Sequence, residues 1–329
     1  MKSVCVIGQG AWGTAVANIF AEAGHKTIIW GRDSQVSHSI NQNHENPHYL
    51  KGIHLSKNLF SSNDLPDCLK KSELIVNALP TQEIRKVFSP HAALLKNKTL
   101  MNTAKGIEIG TQLRVSEIFK DIQKELTYSI LSGPSFALET AQKHPTAVTL
   151  ACSDSKTAEE IQALMAVPYF RTYTSQDVVG VELAGALKNI IAIASGIVSG
   201  LGFGYNTQAA LINRGLAEIL RLGKKLHAES LTFFGLAGMG DLILTCTGPL
   251  SRNRNFGVLL GQGKTLKDAL KALGGVAEGF YTARSAYALA QKNQVEMPIL
   301  EQVYQILYEA KNAKVALSDL MSRELKEEW

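Results

Sequence analysis

Apolar positions in the first half of the chain form short continuous runs, separated by segments of helical periodicity. Such runs, rich in Val and Ile, are typical of strands covered on both faces of a parallel sheet. Between the first two runs, apolar residues from Trp12 to Ala23 recur at helical spacing. The pattern predicts a doubly wound α/β fold. The predicted strands are residues 3–7, 27–30, 74–79, 99–103, 128–132, 146–152 and 169–174.

After Ser175 the strand-like runs stop and only helical patterns follow. We therefore predict two domains, an α/β domain at residues 1–176 and an all-α domain at residues 177–329. The helices predicted in the second domain are residues 178–199, 207–226, 253–260, 266–272, 280–291, 298–310 and 313–325.

Composition narrows the classes of function. With 45% hydrophobic and 19% charged residues the chain is an ordinary globular protein. A net charge of +5 without a long basic run argues against nucleic-acid binding. The four cysteines lie far apart and the histidines show no ligand spacing, so we expect no metal and no disulfide framework. We find no apolar stretch of membrane-spanning length and no convincing signal peptide, and we expect a cytoplasmic protein without membrane insertion.

A glycine motif follows the first predicted strand. Gly8, Gly10 and Gly13 form G-x-G-x-x-G and open an amphipathic helical pattern. These glycines allow a tight turn, a close approach of the backbone to a pyrophosphate, and close packing of the helix, whose N-terminal amides face the anion. The motif in this context predicts a dinucleotide-binding (Rossmann) domain. The alternative is that the glycines only make a turn.

The end of the second predicted strand bears on which dinucleotide binds. An NAD site usually has an acidic residue here that accepts from the ribose 2′-hydroxyl. In "IIWGRD", Gly31 leaves room, Arg32 can pair with a 2′-phosphate, and Asp33 comes slightly late. We expect NADP(H), with NAD(H) tolerated, unless Arg32 is only a solvated loop charge.

The carboxyl ends of the strands select further residues, because doubly wound sheets bind ligands at that edge. Lys105 follows the fourth predicted strand, and Gly133, Ser135 and Ala137 follow the fifth. Lys105 and Ser135 therefore project onto the edge of the glycine turn. For Ser135, the cap of the next helix is an equally good interpretation.

A lysine in an apolar helix raises a separate question. Between Val178 and Ser199 the only charged residues are Glu182 and Lys188. A buried lysine needs an anion or a cavity, and the small neighbours of Lys188 would leave a hollow that a ligand could fill. Otherwise the lysine reaches the surface or pairs with a carboxylate.

A second polar segment follows at residues 235–257. Asp241, among glycines and apolar residues, is a candidate partner for a buried cation, and Thr245 follows it. The S-R-N-R-N cluster of residues 251–255 precedes a helical pattern, and its guanidinium, amide and helix N-terminal groups suit a phosphate. A solvated basic turn is the alternative.

Several long motifs in order give the chain a close resemblance to the bacterial NAD(P)-dependent glycerol-3-phosphate dehydrogenases. They are "GQGAWGTAVA" at the start, "TAKGIE" at 103–108, "LSGPSFALE" at 131–139, "GVELAGALKNIIAIASGI" at 180–197, "GLAGMGDLILTCTGPLSRNRNFG" at 235–257 and "VAEGFYTA" at 276–283. The resemblance implies hydride transfer between NADPH or NADH and the pair dihydroxyacetone phosphate and sn-glycerol 3-phosphate. It further implies a cytosolic homodimer that supplies glycerol 3-phosphate for phospholipid synthesis.

The resemblance also implies roles for individual residues. Lys188 would be the catalytic acid and base, with Asp241 beside it and Lys105 close by. Arg252 and Asn253 would take the substrate phosphate. The implied substrate-binding residues are Lys105, Gly133, Ser135, Lys188, Asp241, Thr245, Ser251, Arg252 and Asn253. The implied cofactor-binding residues are Gly8, Gly10, Ala11, Trp12, Gly13, Arg32, Lys105, Ala137, Arg252, Val276 and Glu278.

Two other functions compete with this interpretation. One is a dehydrogenase of the same plan that acts on a β-hydroxy acid or a sugar-phosphate acid. It would need a carboxylate clamp, and we find no separate basic pair to form one. The other is a sensor that binds NADPH without catalysis. A sensor would have no use for Lys188 in a pocket facing Asp241.

Overall fold

A computed structural model describes residues 2–274, 277–325 and 327–328. The chain forms two compact units. The first contains the residues up to Lys105 together with Leu113–Glu182, and the second contains Gly106–Gln112 together with the residues from Leu183 onward. The division falls six residues after the boundary predicted at residue 176, inside a continuous helix.

The first unit is built on one sheet with the strand order β3-β2-β1-β4-β5-β6-β7-β8. Its first six strands are parallel and follow the order of a dinucleotide-binding fold, which confirms the predicted doubly wound architecture. The strands are β1 Ser3–Ile7, β2 Lys26–Trp30, β3 Leu59–Ser62, β4 Leu74–Asn77, β5 Thr99–Asn102, β6 Thr127–Ser132, β7 Thr146–Cys152 and β8 Phe170–Ser175.

The sheet differs from the prediction at both edges. Strand β7 runs antiparallel to β6, and β8 runs parallel to β7. The helix between β6 and β7, Ala137–Ala141, rises only about 7.5 Å, too little to carry the chain back for a parallel crossover. Strand β3 was not predicted because Phe60 and two serines follow its single buried Leu59, a composition typical of an edge strand.

Helices cover both faces of the sheet. Val4 and Val6 belong to the apolar cluster of one face, and Cys5 and Ile7 belong to that of the other, as the two-residue period of a strand requires. Cys5 and Cys152 are both buried in these clusters. The helices of this unit are α1 Ala11–Glu22, α2 Ser34–Asn43, α3 Leu65–Lys71, α4 Ile84–Phe88, α5 Val115–Ile122, α6 Ala137–Ala141 and α7 Ser155–Leu164.

Within the described residues, the second unit contains helices and no strand, as predicted. Helix α10 was not predicted, because a π-helical turn at Leu236–Gly240 and several glycines obscure its short apolar pattern. The helices are α8 Val178–Gly200, which begins in the first unit, α9 Tyr205–Lys225, α10 Asp241–Thr247, α11 Arg252–Gly261, α12 Leu266–Ala272, α13 Glu278–Lys292, α14 Pro298–Tyr308 and α15 Ala313–Met321.

Helix α8 corrects one expectation from the sequence. By length and composition alone it could cross a membrane, although we expected no such stretch. Its most apolar 18-residue window is completely buried inside the protein. The apolar composition therefore reflects a core helix.

Candidate active site

The glycine turn between β1 and α1 has the geometry of a phosphate cradle. Gly8 has a φ of +123°, and a Cβ there would lie 2.8 Å from the carbonyl oxygen of Ala78. A Cβ on Gly13 would lie 2.0 Å from the carbonyl oxygen of Gly8. Around Gly10, in contrast, no atom of the described residues beyond its two chain neighbours lies within 4 Å of a Cβ position. The fold itself requires Gly8 and Gly13, whereas the space at Gly10 is open to a ligand.

Side chains missed by the sequence analysis support this turn. Asn46 is fully buried, and its Nδ2 donates to the Gln9 carbonyl oxygen at 2.9 Å and to the Thr14 hydroxyl at 2.8 Å. The Gln9 amide donates to the hydroxyls of Ser37 and Ser61. Asn46 lies 32 residues after Thr14, so no local spacing in the sequence indicates this contact.

The end of β2 differs in part from its prediction. A Cβ on Gly31 would lie 2.0 Å from Oε1 of Gln9, so the space beside Gly31 is occupied by protein. Asp33 caps α2 by accepting from the backbone N–H groups of Gln35 and Val36. Arg32 is exposed, and its guanidinium has no partner among the described residues.

Lys105, Gly133 and Ser135 come together at the carboxyl edge of the sheet, as predicted from their positions after β5 and β6. The Lys105 ammonium donates to the Gly133 carbonyl oxygen at 3.3 Å, and the Ser135 hydroxyl donates to the same oxygen at 3.0 Å. Ser135 is not the cap of α6, because that position belongs to Phe136. The alternative interpretation of Ser135 is therefore wrong.

The other predicted cofactor residues of this unit lie beside the turn. Ala11 and Trp12 begin α1, and Ala137 begins α6. All three are partly buried and pack around the small apolar cluster that contains Ala15 and Leu50. Their packing leaves each of them partly accessible.

In the second unit, Lys188 forms a buried ion pair. Its ammonium donates to Oδ1 of Asp241 at 2.6 Å and to the Thr245 hydroxyl at 2.7 Å. The exposed fractions of Lys188 and Asp241 are 6% and 2%. Thr245 in turn donates to the carbonyl oxygen of Asp241 at 2.6 Å. The lysine does not reach the surface, and the predicted pairing with Asp241 is present.

The surroundings of this pair are apolar enough to disfavour other charges. Burial raises the pKa of the neighbouring Cys246 thiol to about 12. The Lys188 ammonium lowers that pKa and the Asp241 carboxylate raises it, which places both charges within electrostatic range of the thiol. Buried charges in such surroundings interact strongly with any charge that develops beside them.

The start of α11 lies against α8 because glycines face each other there. A Cβ on Gly196 would lie 2.0 Å from the carbonyl oxygen of Arg254, and a Cβ on Gly257 would lie 2.0 Å from that of Ile193. The two backbones therefore approach closely, and bulkier residues would force them apart. This packing holds the S-R-N-R-N segment beside the helix that carries Lys188.

Within that segment the predicted residues have different roles. Ser251 is buried and caps α11 by accepting from the Arg254 N–H. Nδ2 of Asn253 donates to Oδ1 of Asn189 at 3.0 Å, and its Oδ1 accepts from the Gly279 N–H at 2.9 Å. Arg252 is exposed, and its guanidinium has no partner within the described ranges. Asn253 thus connects three helices, whereas Arg252 is available to a ligand.

The last two of the predicted cofactor-binding residues are Glu278 and Val276. Glu278 is the first residue of α13 and is partly buried. Val276 lies outside the described residues.

Two family models match the chain. The N-terminal model of NAD-dependent glycerol-3-phosphate dehydrogenase matches residues 3–158, and the C-terminal model matches residues 177–318. A glycerol-3-phosphate dehydrogenase [NAD(P)+] of Citrifermentans bemidjiense is 47% identical, with 99% of each chain covered. That of Myxococcus xanthus is 49% identical, with 98% of each chain covered.

A solved structure supports the same assignment. The chain superposes on glycerol-3-phosphate dehydrogenase from Coxiella burnetii with a TM-score of 0.93 and 36% identity, covering 98% of this chain and 99% of that one. The chain belongs to the NAD(P)-dependent glycerol-3-phosphate dehydrogenase family.

Proposed function

We propose that this protein carries out its family's reaction with Lys188 as the acid and base group. The reaction interconverts dihydroxyacetone phosphate and sn-glycerol 3-phosphate with NADPH or NADH. The observation that carries the proposal is the buried contact of Lys188 with Asp241 and Thr245. This contact fixes the position of a proton donor in surroundings of low polarity.

In the direction of reduction, the carbonyl oxygen of the substrate gains negative charge as hydride arrives at its carbon. The Lys188 ammonium stabilises this charge and then donates a proton to the oxygen. Asp241 and Thr245 hold the ammonium in place before the reaction, so little reorganisation is needed. The carboxylate at 2.6 Å also favours the protonated amine, which suits reduction better than oxidation.

The start of α11 is proposed to bind the substrate phosphate. Arg252 presents a guanidinium, which forms two parallel hydrogen bonds with phosphate oxygens. Its neighbour Asn253 is hydrogen-bonded to Asn189, the residue after Lys188. This hydrogen bond brings the proposed phosphate site next to the residue that follows the proton donor, and a three-carbon substrate requires such proximity. Ser251 contributes the cap that orders this turn.

The glycine turn fits a dinucleotide. The bound cofactor supplies the hydride that reduces the carbonyl carbon. The open space at Gly10 and the uncapped start of α1 would take its pyrophosphate, and Arg32 would take a 2′-phosphate. Lys105, Gly133 and Ser135 form a polar cluster at the same edge of the sheet, and we assign Lys105 to contacts with substrate and cofactor.

The cellular role follows from the family. We propose a cytoplasmic homodimer that supplies glycerol 3-phosphate to phospholipid synthesis. The burial of α8 supports a core helix in place of a membrane anchor. The assembly is tested by sedimentation of the purified protein at several concentrations.

The reaction is tested by following NADPH oxidation with a panel of carbonyl compounds. We expect turnover with dihydroxyacetone phosphate and at least 100-fold lower kcat/KM with β-keto acids and sugar-phosphate acids, roughly the loss of two good polar contacts. Turnover with a keto acid alone would indicate the related dehydrogenase. Tight binding of NADPH without turnover of any compound would indicate a sensor.

A further inference from the structure

Helix α8 carries a second buried charge, which the proposed chemistry does not use. Glu182 lies six residues before Lys188, and its side chain is only 4% exposed. The pKa of its carboxyl is raised by burial, which the Arg114 guanidinium and hydrogen bonds from Ser116 and Tyr128 oppose. An ionisable group in this position needs a physical explanation.

Four hydrogen bonds converge on this carboxylate. Oε1 accepts from the Tyr128 hydroxyl and from the Ser116 backbone N–H, both at 2.7 Å. Oε2 accepts from the Ser116 hydroxyl at 2.7 Å and from the Arg114 guanidinium at 2.9 Å. The donors belong to β6 and to the start of α5, so both oxygens are held by elements of the sheet unit.

A second set of buried hydrogen bonds lies beside the first, at the carboxyl end of β5. The side chain of Asn102 lies near enough to Tyr128 to act on the pKa of its phenol, which it lowers against the larger effect of burial. The Asn102 amide donates to the Ala104 carbonyl oxygen and accepts from the Ala104 N–H, both at 3.0 Å. Ala104 immediately precedes Lys105. Neighbouring buried polar groups therefore hold the start of α8 and the backbone beside Lys105.

These contacts are directional, and that distinguishes them from apolar packing. Apolar side chains of similar volume often replace a buried ion pair without loss of stability. Four bonds of fixed geometry instead fix the rotation and register of the first turns of α8 within the sheet unit. From Glu182 to Lys188 the helix rises about 9 Å without interruption, so a shift at the first residue reaches the second.

We propose that Glu182 is a positioning residue for the proton donor Lys188. The inference rests on the proposed role of Lys188. The carboxylate holds the first turns of α8 in a single rotation and register, and the ammonium therefore meets the carbonyl oxygen at the required distance. A displacement of about 1 Å in a reacting group can lower the rate about 100-fold.

The test compares three variants of the full-length enzyme. Glu182→Gln keeps the volume of the side chain but removes the charge that Arg114 requires. Tyr128→Phe removes one donor and leaves the carboxylate in place. The matched control is Glu218→Gln: Glu218 is a carboxylate at 3% exposure that accepts two backbone N–H groups at the start of α14, and its pKa is raised by burial to about 7.

We expect kcat to fall about 10- to 100-fold in Glu182→Gln and less in Tyr128→Phe, with the KM for NADPH within about twofold of the wild-type value. The isotope effect with NADPH deuterated at the transferred hydride should rise in both variants, because the chemical step becomes slower relative to product release. Glu218→Gln should lose thermal stability while kcat and the isotope effect stay unchanged.

A purely structural role would give a different result. In that case Glu182→Gln would lose stability like Glu218→Gln, with the same kcat and isotope effect as the wild type, and the proposal would be overturned. If Glu182→Gln does not fold, an unchanged isotope effect in Tyr128→Phe is decisive in the same way. Full activity of Lys188→Ala would instead overturn the proposed function, so the two failures can be told apart.

Discussion

The two groups of candidate site residues, one in each unit, differ in what they are made of. The proposed dinucleotide cradle consists mainly of backbone, with Gly8, Gly10 and Gly13 within six residues of one another. The proposed proton donor site consists of side chains, and Lys188 meets Asp241 and Thr245 across 53 and 57 residues of sequence. A backbone site is specified by local spacing, whereas a side-chain site is specified by how helices pack.

This difference determines how each half should respond to substitution. In the proposed cradle, cofactor binding depends on the space that the glycines leave free of side chains. A variant that adds a methyl group to this space is therefore informative. In the helical unit, the proposed function depends on buried charged side chains, so a variant that lacks one of these side chains is informative. The two kinds of variant should separate cofactor binding from chemistry.

The largest effect is expected for Lys188→Ala. Turnover should fall about 10²- to 10⁴-fold, because the variant lacks the group that we propose to stabilise and protonate the developing oxyanion. The affinity for NADPH, measured by fluorescence titration, should stay close to the wild-type value. Asp241 would be left buried without its cation, so the melting temperature must be measured as well. Near-normal turnover in a folded variant would exclude the assignment.

Arg252→Ala should have the next largest effect. Loss of charge-assisted hydrogen bonds to the phosphate should lower kcat/KM for dihydroxyacetone phosphate about 10- to 150-fold. Unphosphorylated dihydroxyacetone is the control substrate, and its kcat/KM should hardly change. An equal loss for both substrates would show that Arg252 acts on something other than the phosphate. Since Arg252 is exposed, stability should be unaffected.

Much of the fold was predictable because its signals are local. The buried runs of β1 and β4 and the helical spacing of α1 depend on neighbouring residues only. The two features of the sheet that were not predicted have physical causes. Strand β3 lies at the edge of the sheet beside β2 and is too polar to show a buried run, and the reversal of β7 depends on the length of α6.

The candidate site was predictable to a smaller extent. Lys188 was conspicuous as a charge in an apolar helix, and Asp241 was a suitable partner, but only packing shows that they meet. The sequence did not indicate that Asn46 and Gln9 support the glycine turn, because their contacts come from distant or irregular segments. Polar groups that support a site from outside its motifs are visible only in three dimensions.

Gly10→Ala tests the backbone half of the comparison. The added Cβ would meet no atom of the described residues within 4 Å beyond its two chain neighbours, and Gly10 has a φ of −65°, so the fold should tolerate the change. Affinity for NADPH should fall about 10-fold, because the methyl group occupies the approach to the pyrophosphate. Gly13→Ala is the contrasting variant, since its Cβ would lie 2.0 Å from the Gly8 carbonyl oxygen and should cost about 1–3 kcal/mol of stability. Unchanged NADPH affinity in Gly10→Ala would contradict the cradle.

The smallest effect is expected for Arg32→Ala, which tests a side chain at the edge of the backbone site. The guanidinium is exposed, so its contact with a 2′-phosphate competes with water and salt, and loss should weaken NADPH binding about 2- to 10-fold. NADH lacks that phosphate, and its binding should stay the same. Arg171→Ala removes the same charge from an exposed position on β8 and should change neither affinity. The loss should shrink as ionic strength rises, because an exposed ion pair is screened. If NADH binding weakens as much as NADPH binding, Arg32 does not recognise the 2′-phosphate. The preference between NADPH and NADH would then depend on the backbone cradle.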